Sequence, residues 1–98
     1  MASLPADHFG RNLLRRRKQV GLSRNELGKL TELHRVDIGA IERGERLPRL
    51  DTILKVSACV KASPCELVAG LRWRAGYFVE GEFYLEKSPA ADEEAGGA

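Results

Sequence analysis

Arg35 and Val36, followed by Gly39 and Ala40, are the residues of this 98-residue chain whose types and spacing point to chemistry. An arginine near the start of a helix is long enough to donate two hydrogen bonds to O6 and N7 of a guanine, and a valine beside it can meet a thymine methyl group. Small residues one turn further on leave room for the helix to sit deep in a groove. This helix would be the second of two short ones joined by a tight turn, with a polar, small-residue outer face in place of a fully buried one. Enzyme chemistry has no comparable footing. No nucleophile with base and orienting group, no metal-ligand cluster and no phosphate-cradling glycine loop can be assembled, so the chain reads as a non-enzyme with no cofactor and no metal.

Composition agrees with a polyanion as partner. The net charge is only +2, but residues 1–49 hold 11 Lys/Arg against 6 Asp/Glu, whereas residues 50–98 hold 5 against 8. A basic front half followed by an acidic back half is a distribution that nucleic acid would select. Apolar residues make up 43% and charged residues 31%, the balance of a soluble globular protein, with no run long enough for a membrane span and no signal-peptide core at the N-terminus. Cys59 and Cys65, without a CxxC pattern or a nearby histidine, are expected to be free, inert thiols in a reducing cytoplasm.

The elements that must position the reading residues follow from capping and periodicity. Asp7 is expected to cap a first helix with Phe9, Leu13 and Val20 inward, ended by Gly21. Ser23 and Glu26 form a capping box that opens a short second helix, with Leu27 and Leu30 inward and a stop near Thr31. The third helix, about 34–43, buries Leu33, Ile38 and Ile41 and ends at Gly44. A loop with Pro48 leads to a fourth helix read from Leu50, Ile53, Leu54, Val56 and Val60. Ser63, Pro64 and Glu66 launch a short fifth. Beyond Gly70, Tyr77–Val79 and Phe83–Leu85 resemble short strands flanking a turn at Glu80–Glu82. Residues 88–98 are expected to be disordered.

In this frame the chain resembles the phage-repressor and Cro type helix-turn-helix family, also called the XRE family. The resemblance covers about Phe9 to Leu71. It rests on Phe9–Leu13, Arg17, Gly21–Ser23 with Glu26 and Leu27, Ile38, Ile41–Gly44 with Pro48, and Ser63, Pro64, Glu66 and Leu67, in order and at matching spacings. It implies an all-α fold: a five-helix lambda-repressor-like DNA-binding domain with a short extended or β-hairpin C-terminal tail. The organisation expected is 1–6 flexible, 7–71 the DNA-binding domain, 72–87 an aromatic arm and 88–98 an acidic tail. The resemblance places Arg24, Arg35, Val36, Gly39 and Ala40 at base-contacting positions, and Ser23, Arg43, Arg46 and Arg49 at phosphate-contacting ones. Arg24 stands where the family often has glutamine, so it reaches either a phosphate or a guanine. Arg17 and Glu42 pair internally.

Several departures from the family carry expectations of their own. Gly28 replaces an alanine and Glu32 a turn glycine, each at a cost in stability. Arg16 replaces a leucine, with its stem along the core and its charge outward. Asp37 either accepts from cytosine N4 or caps its own helix, and His34 either caps that helix or touches a phosphate. His8 is expected to be exposed. Trp73, Tyr77, Phe78, Phe83 and Tyr84 are five of the six aromatic residues, and such a concentration needs a burial partner: the same domain, a second copy, or another protein. The function expected is a sequence-specific DNA-binding transcriptional regulator, a homodimeric repressor on double-stranded DNA. The alternatives are an antitoxin or adaptor whose arm grips a protein partner, and a degenerate domain that reads no DNA.

Overall fold

The computed structural model describes residues 3–86, so the expected disorder of 88–98 lies outside the described residues. The chain divides into two compact units, residues 1–68 and 69–98. The first carries α1 (Leu4–Gln19), α2 (Arg24–Thr31), α3 (Arg35–Glu42), α4 (Leu50–Cys59) and α5 (Pro64–Leu67); the second carries an antiparallel pair, β1 (Leu71–Arg74) and β2 (Glu82–Leu85). This is the five-helix fold with a C-terminal hairpin that the sequence implies.

Signals that act between near neighbours hold. Both capping boxes form: Ser23 Oγ accepts from Glu26 N at 3.0 Å while Glu26 accepts from Ser23 N at 2.8 Å, and Ser63 and Glu66 repeat the arrangement at 3.2 and 2.9 Å. Gly21 and Gly44 follow α1 and α3 at φ 78° and 75°, the left-handed geometry that glycine adopts without strain. The start of α1 differs from expectation. Ser3, not Asp7, is its cap, accepting from Ala6 N at 3.2 Å, and Pro5 lies in the first turn, where its fixed φ suits a helix and its missing N–H costs nothing. Helix therefore begins within the segment expected to be flexible. Asp7 is left in the first turn, paired with Arg11 at 2.8 Å.

One core holds the helical unit together: Phe9 and Leu13 of α1, Leu27 of α2, Ile38 and Ile41 of α3, Val56 of α4, and Val60 and Leu67 beyond it. Each buried side chain contributes about 1.5–3 kcal/mol. Three leucines expected inward are not: Leu30, Leu50 and Leu54 are 59%, 71% and 53% exposed. The core-facing stripe of α4 runs through Ile53 and Val56 to Val60 at its end, and Leu50 and Leu54 form a second stripe beside it that periodicity alone cannot separate. Cys59 packs against the core, half-buried, whereas Cys65 is exposed; both are free thiols, as expected. His8 is also partly buried, with Nε2 3.1 Å from Asn12 Nδ2.

Close approach between helices explains two glycines. A Cβ on Gly10 would overlap the Ile41 carbonyl oxygen, so α1 crosses α3 where only glycine fits. A Cβ on Gly28 would come within 2.6 Å of the Leu33 carbonyl oxygen, so this glycine, expected merely to cost stability, accommodates the tight turn into α3. That turn is strained elsewhere, because Glu32 occupies the left-handed region at φ 65°. Glu32→Gly is expected to raise stability by about 0.5–1 kcal/mol in chemical denaturation, since glycine removes the steric cost of that conformation and gives back part of the gain as unfolded-state entropy. Arg16 does more than carry its charge outward. Its Nε donates to Val60 O at 2.9 Å and Nη2 to Lys61 O at 2.8 Å, capping the carbonyl end of α4.

In the second unit the pairing register is Leu71 with Leu85, Arg72 with Tyr84, Trp73 with Phe83, and Arg74 with Glu82. The first strand is therefore Leu71–Arg74, and Tyr77–Val79, expected as a strand, belongs to the loop between strands. Alternation puts Leu71, Trp73, Phe83 and Leu85 on one face and Arg72, Arg74, Glu82 and Tyr84 on the other. Trp73 and Phe83 meet edge to face, with ring centroids 4.8 Å apart.

Candidate nucleic-acid interface

α2 and α3 are joined by three residues, Glu32 to His34. His34 resolves its two expected roles as a cap, with Nδ1 accepting from Val36 N at 3.1 Å. Its position leaves Arg35 as the first residue of α3, with Val36 beside it, 60% exposed. Behind α3, Glu42 is buried and holds two arginines. Arg17 donates to it from Nε at 2.5 Å and from Nη2 at 3.0 Å, the internal pair that the family resemblance implies. Arg24, at the first position of α2, donates from Nε to the same carboxylate at 2.9 Å while its side chain remains 46% exposed.

Arg24, Arg35, Val36, Gly39 and Arg43 line a shallow depression of about 290 Å³. Gly39 forms part of it because a Cβ there would lie 3.0 Å from Arg43 Nη1 and 3.9 Å from Arg24 Cδ, so the arginines cover it and it is buried. Four of the five residues named as base-contacting thus converge; Ala40, half-buried, is outside this lining. Ser23 is used as the α2 cap.

The arginines named for phosphate contact carry a feature that spacing did not reveal: each has a carboxylate partner. Arg43 grips Glu45 through Nε at 2.7 Å and Nη2 at 3.2 Å. Arg46 reaches Asp37 at 3.0 Å and Arg49 reaches Asp51 at 3.6 Å. Hydrogen bonds from Arg43 hold the Glu45 carboxyl below its usual range, and Glu45 in turn raises Arg43. Asp37 therefore serves as a partner for Arg46, not as the cap of α3. Opposite charges two residues apart, Arg43 and Glu45, were the available clue. Arg35 alone among the arginines of this face has no ion-pair or hydrogen-bond partner among the described residues.

Two short helices crossing at a tight turn, the second presenting an open guanidinium and an exposed valine beside a glycine covered by two arginines, define a helix-turn-helix DNA-binding protein. The HTH_3 helix-turn-helix family model matches residues 13–67, and the chain belongs to that family, one of transcription regulators and not of enzymes. No curated protein matches the chain. Among solved structures it is similar to the restriction-modification controller protein C.AhdI from Aeromonas hydrophila, at 38% identity over 61% of this chain and 91% of that one, TM-score 0.59. It is similar to the P22 c2 repressor, solved with a synthetic operator, at 31% identity over 63% and 94% of the two chains, TM-score 0.60. A chain of the SinR/SinI protein complex is 27% identical over 62% of this chain and 60% of that one, TM-score 0.59. This protein is a DNA-binding transcription regulator. No helix among the described residues is long and apolar enough to cross a membrane.

Proposed function

We propose that the protein is a dimeric, sequence-specific repressor, in which α3 of each copy enters the major groove of double-stranded DNA, the two helices standing about 34 Å apart on a near-palindromic site. The observation that carries this reading is Arg35. A guanidinium at the start of α3, without a carboxylate partner among the described residues, is poised for bidentate contact with a guanine, and Val36 for a neighbouring thymine methyl. Arg24 lies across the same depression as a second reader, while Arg43, Arg46 and Arg49 exchange their carboxylates for phosphates. The P22 c2 repressor crystallised on an operator has the same arrangement of helices over the matched region, which supports the docking mode.

Fluorescence anisotropy of the full chain against a selected DNA pool tests the reading: a defined sequence preference is expected, and equal binding to random duplex overturns it in favour of a degenerate domain. Arg35→Ala should then cost about 1–3 kcal/mol at a single base position and leave the others unchanged. The adaptor alternative draws its interest from the SinR/SinI protein complex. It would be supported if the chain bound DNA without preference yet held a partner through its C-terminal hairpin.

A further inference from the structure

The hairpin of the second unit is two-faced in an unequal way. On its polar face every charge is answered internally: Arg72 pairs with Glu86 at 2.8 Å, Arg74 pairs with Glu82 at 2.7 Å, and the Arg74 guanidinium lies 4.3 Å from the centre of the Tyr84 ring. That face is complete in water. The opposite face and the loop are not, since Trp73, Phe83 and Leu85 are each about half exposed, Val79 is mostly so, and Tyr77 and Phe78 are almost wholly so. A two-stranded sheet is marginal in water unless its apolar face is covered. The sequence also keeps Phe78 at φ 64°, a conformation costly for an aromatic residue, with its ring fully in solvent.

We propose that this face is covered by the same face of a second copy, so that two hairpins pack sheet on sheet and form the contact that joins the dimer. At about 150–250 Å² per aromatic side chain, the exposed parts of the four aromatic residues together with Leu85 and Val79 offer roughly 600–900 Å² per copy and so up to about 1,200–1,800 Å² for two, within the range of about 1,200–2,000 Å² that specific interfaces bury. Two such sheets need cover on one side only, and facing packing satisfies both at once. DNA does not suit this face, whose exposed side chains are apolar and in whose unit Glu80, Glu82 and Glu86 outnumber Arg72 and Arg74 among the described residues. The other exposed apolar strip, Leu47, Leu50 and Leu54, offers less surface than the hairpin. The proposal rests on the dimeric reading above, but it is tested without DNA.

Trp73 is the only tryptophan and packs edge to face on Phe83 in that face, so it reports directly. Sedimentation of the full chain over a concentration series is expected to show the mass doubling, and in step with it Trp73 emission should move to the blue and acrylamide quenching should fall. Phe83→Ser is expected to raise the dimer Kd at least tenfold. Phe78→Gly relieves the left-handed strain while removing apolar area, so it should weaken the dimer with helical circular dichroism unchanged; this separates lost docking from lost folding. A dimer whose formation leaves Trp73 unchanged overturns the proposal. So does a dimer that Leu50→Asp or Leu54→Asp breaks and both hairpin variants spare, which assigns the contact to α4. A chain still monomeric on the order of 100 µM also overturns it, leaving the face to a different protein. If a monomeric hairpin variant keeps its preference for one DNA sequence, the reading of α3 stands apart from the fate of the hairpin.

Discussion

Glu42→Ala is expected to lower folding stability by about 3–5 kcal/mol, enough to drop the thermal midpoint by about 15 °C or more in a domain of this size. The reason is asymmetry in how the cluster is built. Glu42 is the single carboxylate for two guanidiniums, and its side chain is 1% exposed against 8% for Arg17 and 46% for Arg24. Removing it strands Arg17 as a buried cation whose remaining acceptor is the Leu22 carbonyl, 2.9 Å from Nη1. Removing Arg17 as Arg17→Met is the milder change, because Glu42 keeps Arg24 and the methionine retains much of the buried stem. Combining Arg17→Met with Glu42→Leu should recover most of the loss, since an apolar pair of similar volume avoids desolvating two charges. Arg24, half in solvent, loses little by being left alone. Urea denaturation of the three variants checks the order: Glu42→Ala least stable, Arg17→Met intermediate, the double variant near the parent. If Arg17→Met proves as damaging as Glu42→Ala, the cluster works as a simple pair and Arg24 contributes no shelter.

Why some of this was legible in the sequence and some was not is a matter of interaction range. Ser23 with Glu26, Ser63 with Glu66, and the glycines at 21 and 44 act across at most a few residues of backbone, so their types and spacing suffice. The core was legible where a stripe has one side, as in Phe9 and Leu13, and misread where two apolar stripes run together, as in Leu50 and Leu54 beside Ile53 and Val56. Arg24 with Glu42 and Arg16 with the Val60 carbonyl lie 18 and 44 residues apart, and no local pattern announces such pairs. The place of Arg35 at the start of α3 was legible from the capping and turn signals. Its distinction, that it is the unsatisfied arginine among satisfied ones, appeared only once Glu45, Asp37 and Asp51 were seen against their partners. In the hairpin, alternation signalled strands but not which residues pair, because Tyr77–Val79 is as strand-like in composition as Leu71–Arg74.

Raising monovalent salt from 50 to 200 mM is expected to weaken DNA binding by about 10³ to 10⁵ fold, given roughly 6 to 10 phosphate contacts across two copies. The paired arginines make a sharper expectation possible. Arg43 is held by Glu45 and Arg46 by Asp37, so on the proposed docking a phosphate reaching either arginine must displace a carboxylate, and the acidic side chains would compete with the backbone of any DNA sequence. Glu45→Gln should therefore tighten binding to specific and random duplex alike and steepen the salt dependence by up to about one contact. Because hydrogen bonds from Arg43 hold the Glu45 carboxyl below its ordinary range, the pair is intact above that range and is lost only as pH falls beneath it. Between about pH 6 and 8 this competitor is constant, and ionic strength is the lever that acts on it. Arg35→Ala should show the opposite signature: a loss confined to one base position, with little change in slope. Anisotropy titrations of parent, Glu45→Gln and Arg35→Ala across a salt series separate the two. A Glu45→Gln variant that gains affinity for one sequence only would make Arg43 a reader of bases and not a clamp on phosphates.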